Sequence, residues 1–222
     1  MTFNADYVEA VADDYTDLLV RRVDGTLDEL TFLRQIRQIV APEIEPGMSF
    51  LDVGCASGYT YKSFAHLGIE YWGFDGERRY LDIARERLEP LGVPPERLVH
   101  GDIHTHHFGR TFDVVCCCNT LESLSDFRRP LERLCEWTGR LLIVRTLIDE
   151  HTQYLFVKGL NSRFPDLELP NNIYGRHEFV GLMAAGGLRV TEHADEYAEV
   201  HPKILQGIPH PHAILIGRRG PA

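Results

Sequence analysis

Four short stretches of this 222-residue chain place a carboxylate or an amide at the end of an apolar run. Asp52 lies within "FLDVG", Asp75 ends "IEYWGFD", Asp102 follows "RLVHG", and Asn119 follows "TFDVVCCC". Such side chains can accept hydrogen bonds from the hydroxyl, amino and ammonium groups of a polar ligand. An acidic group at the end of an otherwise apolar strand costs free energy unless something pairs with it, which favours a ligand contact for Asp52.

A glycine-bearing turn, Gly54-Cys55-Ala56-Ser57-Gly58, joins the first apolar run to a helical pattern. The two glycines permit unusual backbone angles and let the main chain approach a ligand with no Cβ in the way. The N-terminus of the following helix adds free N–H groups. The G-x-G-x-x-G fingerprint of nicotinamide-binding domains is absent, because Ala56 stands where the second glycine belongs and Gly58 falls one residue early.

Strands and helices alternate along the part of the chain that must position these residues. The first forty residues have helical spacing, and residues 78–92 place apolar side chains along one face at Leu81, Ala84, Leu88 and Leu91. The largely apolar "TFDVVCCCN" is typical of a central parallel strand. Five β–α alternations predict an α/β fold, a doubly wound Rossmann-like sheet of seven strands with helices on both faces. Its last two strands have no helix between them in this prediction, and the last strand is antiparallel. Ligands of such sheets bind outside the carboxyl ends of the strands.

In this order and at these distances, the motifs resemble those of class I S-adenosylmethionine-dependent methyltransferases, over roughly residues 50–148. The resemblance implies that the glycine turn carries the methionine portion of S-adenosylmethionine, with Asp52 near its amino group. It also implies that Asp75 accepts hydrogen bonds from both ribose hydroxyls. Asp102 would lie near the adenine amino group with Ile103 as an apolar neighbour, and Asn119 near the sulfonium. The predicted cofactor-binding residues are Asp52, Gly54, Cys55, Ala56, Gly58, Asp75, Gly76, Asp102, Ile103 and Asn119.

The residues expected to contact the methyl acceptor depart from the family pattern. Many relatives read Leu-His-His or Leu-Glu-His after the fourth strand, whereas this chain reads Leu121-Glu122-Ser123, so the identity of any base stays open. Residues 145–179 are too long for a bare connection, which predicts a lid or a binding loop. Arg145 and His151 are the preferred substrate-facing pair, and together with Glu122 they are the predicted catalytic residues. Cationic groups there would suit an acceptor bearing a carboxylate, a phosphate or a sugar acid.

Composition narrows the class of partner. The formal net charge is −10, and no strong cluster of Lys and Arg relieves it, which argues against binding to nucleic acid. No apolar run approaches the length of a membrane span and no signal peptide is visible, so a cytoplasmic location is predicted. Three of the five cysteines are consecutive, a poor framework for zinc or disulfides. The histidines of "HGDIHTHHF" lack nearby carboxylates at a ligand spacing, so no metal site is predicted.

The sequence therefore predicts one domain over residues 1–222. Residues 1–45 would form a helical cap, 46–150 a cofactor-binding core, and 151–222 a substrate-side insertion followed by the terminal strands. Tyr7 and Tyr15 could close over the cofactor, although packing is the favoured role. The predicted function is methyl transfer from S-adenosylmethionine to a small molecule by in-line displacement at the sulfonium, with oxygen slightly favoured as acceptor atom. The alternative is a methyltransferase-like domain that binds cofactor or a partner without catalysis.

Overall fold

The structure is a computed structural model that describes residues 16–158 and 166–220. Tyr7, Tyr15 and the helix predicted before residue 16 lie outside the described residues. The helices are α1 (16–24), α2 (Thr31–Val40), α3 (Thr60–Phe64), α4 (Arg78–Leu88), α5 (Arg128–Trp137), α6 (Arg176–Ala185) and α7 (Glu196–Val200). The strands are β1 (Ser49–Val53), β2 (Glu70–Asp75), β3 (Leu98–His100), β4 (Phe112–Cys118), β5 (Thr138–Asp149), β6 (Phe156–Val157), β7 (Leu169–Pro170), β8 (Tyr174–Gly175), β9 (Leu188–Ala194), β10 (Lys203–Leu205), β11 (Ile208–His210) and β12 (His212–Arg219).

The main sheet has the strand order β3-β2-β1-β4-β5-β12-β9, and the short β8 pairs with the end of β5. The pairs from β3 through β5 are parallel. Strand β12 runs antiparallel to both of its neighbours, β5 and β9. The order reverses at β1, which lies between β2 and β4, so a crevice opens at the carboxyl ends of these strands.

Helices cover both faces of this sheet. One face packs Leu51, Val115 and Val144 against residues of α5 and α6, such as Leu134 and Phe179. The other face packs against α2, α3 and α4 through the side chains of Phe32, Ile36, Phe64, Leu81 and Leu88. This arrangement confirms the doubly wound, Rossmann-like fold with an antiparallel last strand.

Local predictions failed where a turn interrupts the pattern. Leu81, Ala84 and Leu88 are fully buried, but Leu91 is 48% exposed and does not share their face. The α-helix ends at Leu88, and a 3-10 turn containing Pro90 rotates Leu91 away from the core. The prediction that no helix lies between the last two strands of the sheet was also wrong, because helix α7 and the β10–β11 hairpin lie between β9 and β12.

Candidate active site

Polar residues from separate parts of the chain come together at the carboxyl ends of β2, β1 and β4. Strand β1 pairs with β2 and β4 on its two sides, with Asp52 opposite Gly73 and Cys116. The turn after β1 stays bound to β2, because the N–H of Gly54 donates to the carbonyl of Phe74 at 2.7 Å. Residues that are distant in sequence therefore line one edge of the sheet.

The glycine turn is held in the left-handed region of backbone space. Gly54 has φ +74° and Gly58 has φ +75°, and Ala56 between them has φ +48°. A Cβ on Gly54 would lie 2.0 Å from the Thr120 hydroxyl, and one on Gly58 would lie 2.4 Å from Leu88 Cδ1. The backbone angles and close packing against protein side chains thus require glycine at both positions before any ligand is considered.

Asp52 is a buried carboxylate, 3% exposed. Its Oδ2 accepts a hydrogen bond from the Tyr71 hydroxyl at 2.8 Å. Burial raises the pKa of Asp52 to about 7, while the hydrogen bonds from Tyr71 and Thr60 act in the opposite direction and the charge of Asp75 raises it further. A carboxylate in this condition is stabilised by any cation that reaches it.

Asp75 is oriented by two backbone donors. The N–H of Ala56 donates to Oδ2 and the N–H of Glu77 donates to Oδ1, both at 2.8 Å. Burial raises the pKa of Asp75 to about 6, although these two hydrogen bonds lower it. Each oxygen of a carboxylate has room for about two donors, so each keeps acceptor capacity for a further hydroxyl group. The left-handed Ala56 thereby ties the glycine turn to the acidic residue that ends β2.

Asp102 lies in an exposed turn after β3. Its Oδ1 accepts hydrogen bonds from the backbone N–H of His104 at 2.9 Å and contacts the Nδ1 of that residue at 2.8 Å. Partial burial acts to raise the pKa of Asp102, but these contacts with His104 lower it below its ordinary value. Ile103 is buried beside it, and Gly76 is exposed at the end of β2.

Asn119 belongs to a polar cluster that also holds the predicted catalytic Arg145. Asn119 has φ +57°, and its side-chain oxygen accepts a hydrogen bond from Arg145. Arg145 is 4% exposed, its Nε donates to the Asp195 carboxylate at 2.5 Å, and its guanidinium lies 4.1 Å from the centre of the Phe32 ring. Asp195 also caps helix α7 by accepting from the N–H groups of two residues in its first turn. Arg145 therefore braces the strand tip against α7.

Glu122 lies in the 3-10 turn that follows Asn119 and is 2% exposed. Its Oε2 accepts a hydrogen bond from the Thr146 hydroxyl at 3.0 Å, and its Oε1 lies 3.6 Å from Nε2 of His212. Burial acts to raise the pKa of Glu122, but the contact with His212 and the charge of Lys203 lower it below its ordinary value. Burial lowers the pKa of Lys203 itself.

The structure does not join Arg145 to His151. His151 is exposed and makes no hydrogen bond or ion pair within the described residues, whereas Arg145 is enclosed by its own partners. Among the described residues, His212 does reach this region. Its place near His201 and His210 in the sequence suggested at most a metal site, which was not predicted, and gave no sign of a contact with Glu122, ninety positions earlier.

The described residues also contain a cavity away from this crevice. A cavity of about 760 Å³ is lined by Thr111, Thr138 and Arg219, so it lies at the amino ends of the parallel strands and not at the site above. No group of three His, Cys, Asp or Glu side chains in ranges 16–158 and 166–220 could hold a metal ion. No helix in those ranges is long and apolar enough to cross a membrane.

The residue types at the crevice fit S-adenosylmethionine. A buried carboxylate suits an ammonium group, and a second carboxylate with spare acceptor capacity suits a pair of hydroxyls. A family model described as "Methyltransferase domain" matches residues 26–193, which is most of the chain. The chain belongs to this family of methyltransferase domains. Membership supports the predicted fold, methyl transfer as the reaction type and S-adenosylmethionine as the cofactor.

One curated relative is similar to part of this sequence, and two solved structures share its fold. The chain is 31% identical over 110 residues to the mitochondrial ubiquinone biosynthesis O-methyltransferase of Schizosaccharomyces pombe, a match that covers 46% of this chain and 40% of that protein. The match thus spans less than half of that relative. A crystal structure of an S-adenosylmethionine-dependent methyltransferase from Clostridium acetobutylicum has a TM-score of 0.66 at 14% identity and covers 93% of this chain and 98% of its own. Magnesium protoporphyrin IX methyltransferase from Synechocystis with bound SAH has a TM-score of 0.63 at 15% identity, with 97% of both chains covered.

Proposed function

We propose that this methyltransferase domain transfers a methyl group from S-adenosylmethionine to a hydroxyl group of a small molecule. The proposal that the domain binds S-adenosylmethionine rests on the orientation of Asp75. Its two carboxylate oxygens accept hydrogen bonds from the N–H groups of Ala56 and Glu77, at 2.8 Å each. This contact couples the glycine turn to the residue proposed to hold the ribose. Support for a hydroxyl acceptor is the name of the relative from Schizosaccharomyces pombe, an O-methyltransferase.

The proposed roles follow the order of the strands. Asp52 is proposed to face the ammonium of the methionine portion, with Gly54, Cys55, Ala56 and Gly58 forming the main-chain wall of the turn. Asp75 and Gly76 are proposed to hold the ribose, Asp102 and Ile103 the adenine, and Asn119 the part nearest the sulfonium. Bound S-adenosylmethionine supplies a methyl group on a sulfonium, which is already a good leaving group. The chain therefore contributes mainly by aligning the acceptor with that methyl group.

We propose that different parts of the chain bind the cofactor and the methyl acceptor. Residues 46–150 would bind the cofactor, and residues 151–222 would form the acceptor side, with 1–45 as a cap. The net charge of −10 supports a small-molecule acceptor over nucleic acid, and we propose a cytoplasmic location.

The first experiment is thermal unfolding with S-adenosylmethionine, S-adenosylhomocysteine (SAH) or NADPH, each at about a hundred times its dissociation constant. Binding of that strength stabilises the native state by about 2.7 kcal/mol, which corresponds to a rise in Tm of roughly 5–10 °C for a chain of this size. We expect a rise with the sulfur nucleosides only.

Two variants make this test specific. Asp75→Ala removes the proposed ribose ligand and should abolish the rise, measured against the variant's own ligand-free Tm. Asp82→Ala removes an exposed carboxylate of α4, 64% exposed, and should keep the rise. A rise with NADPH alone, or an equal rise in Asp75→Ala, would contradict the cofactor assignment. Binding of SAH without methylation of any acceptor would favour the alternative, a binding domain without catalysis.

A further inference from the structure

A glutamate and a histidine meet at the carboxyl ends of β4 and β5, and neither is among the residues proposed to hold the cofactor. Glu122 follows Asn119 by three residues, at the carboxyl end of β4, and His212 opens β12. Their side chains approach with Oε1 and Nε2 at 3.6 Å, an ion-pair distance that is longer than a hydrogen bond. The His212 side chain is 12% exposed and the Glu122 side chain 3%, so His212 is the member of the pair that meets solvent.

The neighbours of Glu122 favour its ionised form. Thr146 donates its hydroxyl hydrogen to Glu122 Oε2 at 3.0 Å, which stabilises the ionised carboxylate. Among the described residues, Lys203 adds a positive charge that favours an ionised Glu122. Arg145, which is paired with Asp195, acts on Lys203, and the His210–Asp149 pair lies two positions from His212. An ionised carboxylate beside Nε2 favours the tautomer with its proton on Nε2. The lone pair of neutral His212 is then on Nδ1, which accepts no hydrogen bond within the described residues.

We propose that His212 is the base that takes the proton from the hydroxyl group of the methyl acceptor, and that Glu122 is the residue that positions it. This inference rests on the proposed function. The acceptor oxygen forms a bond to the methyl carbon while the carbon–sulfur bond breaks, and the electron pair of that bond stays on sulfur. The hydroxyl proton moves to Nδ1 of His212, and the resulting imidazolium is stabilised by Glu122 until the proton leaves to solvent. A hydroxyl needs such a base because it is a weak nucleophile before it loses its proton.

The arrangement also accounts for the departure seen after the fourth strand. The sequence lacks a histidine immediately after Glu122, and the structure supplies one from the start of β12, next to the same glutamate. Glu122 is further tied to the insertion, because its carbonyl accepts the N–H of Asn172 at 2.7 Å. The turn that carries Glu122 is thus fixed from two sides, as a positioning residue requires.

The first test reads the tautomer of His212 and needs no acceptor. With SAH bound, the nitrogen-15 chemical shifts of neutral His212, assigned with His212→Gln, should show the proton on Nε2. In Glu122→Gln the amide oxygen faces the Thr146 hydroxyl, so the amide NH₂ faces Nε2 and should move the proton to Nδ1. A proton on Nδ1 in the unaltered protein, or no change in Glu122→Gln, would overturn the proposal.

The second test measures methyl transfer to hydroxyl and amine probes, with 3,4-dihydroxybenzoate as the first hydroxyl probe. We expect His212→Gln to lower kcat on the hydroxyl probe by about 10²–10⁴-fold with little change in KM, and its residual rate should rise with pH as the probe ionises by itself. Glu122→Asp should recover part of the loss caused by Glu122→Gln. His210→Gln removes a histidine two positions away that contacts Asp149 at 3.3 Å, and it should keep full activity.

The outcomes separate this inference from the proposed function. If SAH fails to raise Tm, the proposed function itself fails. If SAH binds but no probe or only an amine probe is methylated, the proposed transfer to a hydroxyl group fails, and the base assignment fails with it. If His212→Gln lowers Tm but leaves kcat and its pH profile unchanged, the pair is a structural ion pair and the inference is wrong.

Discussion

Asp52 offers a pH-dependent test of the electrostatics at the crevice. Its pKa rises from an ordinary 3.8 to about 7 in the folded chain, because the carboxylate is buried at 3% exposure. The folded protein therefore keeps this proton between about pH 4 and pH 7 while the unfolded chain loses it. Stability is unaffected below pH 3.8, falls as the pH rises through this window, and reaches its full loss above about pH 7.

The size of the effect follows from the shift of about three pKa units. At 1.36 kcal/mol per unit, this shift lowers the free energy of unfolding by about 4 kcal/mol at pH 8, where both states are ionised, and by about 2 kcal/mol at pH 5, where only the unfolded chain is ionised. Asp52→Asn keeps the shape and an oxygen for the Tyr71 hydroxyl but cannot ionise. We expect the ligand-free variant to be more stable than the original protein, by an amount that grows from pH 5 to pH 8.

Urea denaturation at pH 5, 6.5 and 8 measures this difference, since groups common to both proteins largely cancel. Asp113→Asn is the matched control with the opposite sign. Partial burial acts to raise the pKa of Asp113, but hydrogen bonds from the hydroxyl and N–H of Ser49 at 2.7 and 2.9 Å lower it. Its replacement should destabilise the protein above pH 4, and that loss should disappear as the pH falls below its folded pKa. A stability gain in Asp52→Asn that is constant with pH, or a net loss at pH 8, would refute the reasoning.

Two further predictions concern the backbone and the buried ion pair. Gly54→Ala should cost far more stability than Gly92→Ala, because both positions have positive φ but only at Gly54 would the new Cβ meet a neighbour, at 2.0 Å from Oγ1 and 2.9 Å from Cβ of Thr120. Gly92→Ala should lose only the left-handed strain of about 1–2 kcal/mol, measured by urea denaturation; equal losses would show that the contact is unimportant. Arg145→Met should destabilise by about 3–5 kcal/mol because it strands the buried Asp195 carboxylate. In a double-mutant cycle, adding Asp195→Asn, which keeps the α7 cap, should recover part of that loss, and strict additivity would argue against the pair.

The fold was predictable because each signal is local. The apolar runs that form β1, β2 and β4 and the helical spacing of α4 can be read within windows of ten to fifteen residues, and the βαβ alternation leaves few topologies. Leu91 was misplaced because Pro90 ends the α-helix one turn before the apolar spacing does. The hairpin formed by β10 and β11 was missed because strands of three residues carry almost no periodic signal.

The roles of the glycines show how an interpretation from sequence can identify the right residues for an incomplete reason. Gly54 and Gly58 were expected to make room for a ligand, yet the described structure fills the space beside them with Thr120 and Leu88. A glycine in the sequence shows that a Cβ is absent, but it does not show which atom would occupy the same space as that Cβ. Only the tertiary packing distinguishes a ligand from a neighbouring side chain.

The two halves of the proposed site differ in how far apart in sequence their partners lie. Asp52 and Asp75 end neighbouring parallel strands, so the fold class alone places them side by side at the crevice. Glu122 and His212 meet because β12 inserts antiparallel between β5 and β9, which brings the start of the last strand against the end of the fourth. Spacing within one sequence carries no information about that contact. If the Glu122–His212 pair is the acceptor base, then a search for histidine after the fourth strand will miss related chains in which the same imidazole comes from the last strand.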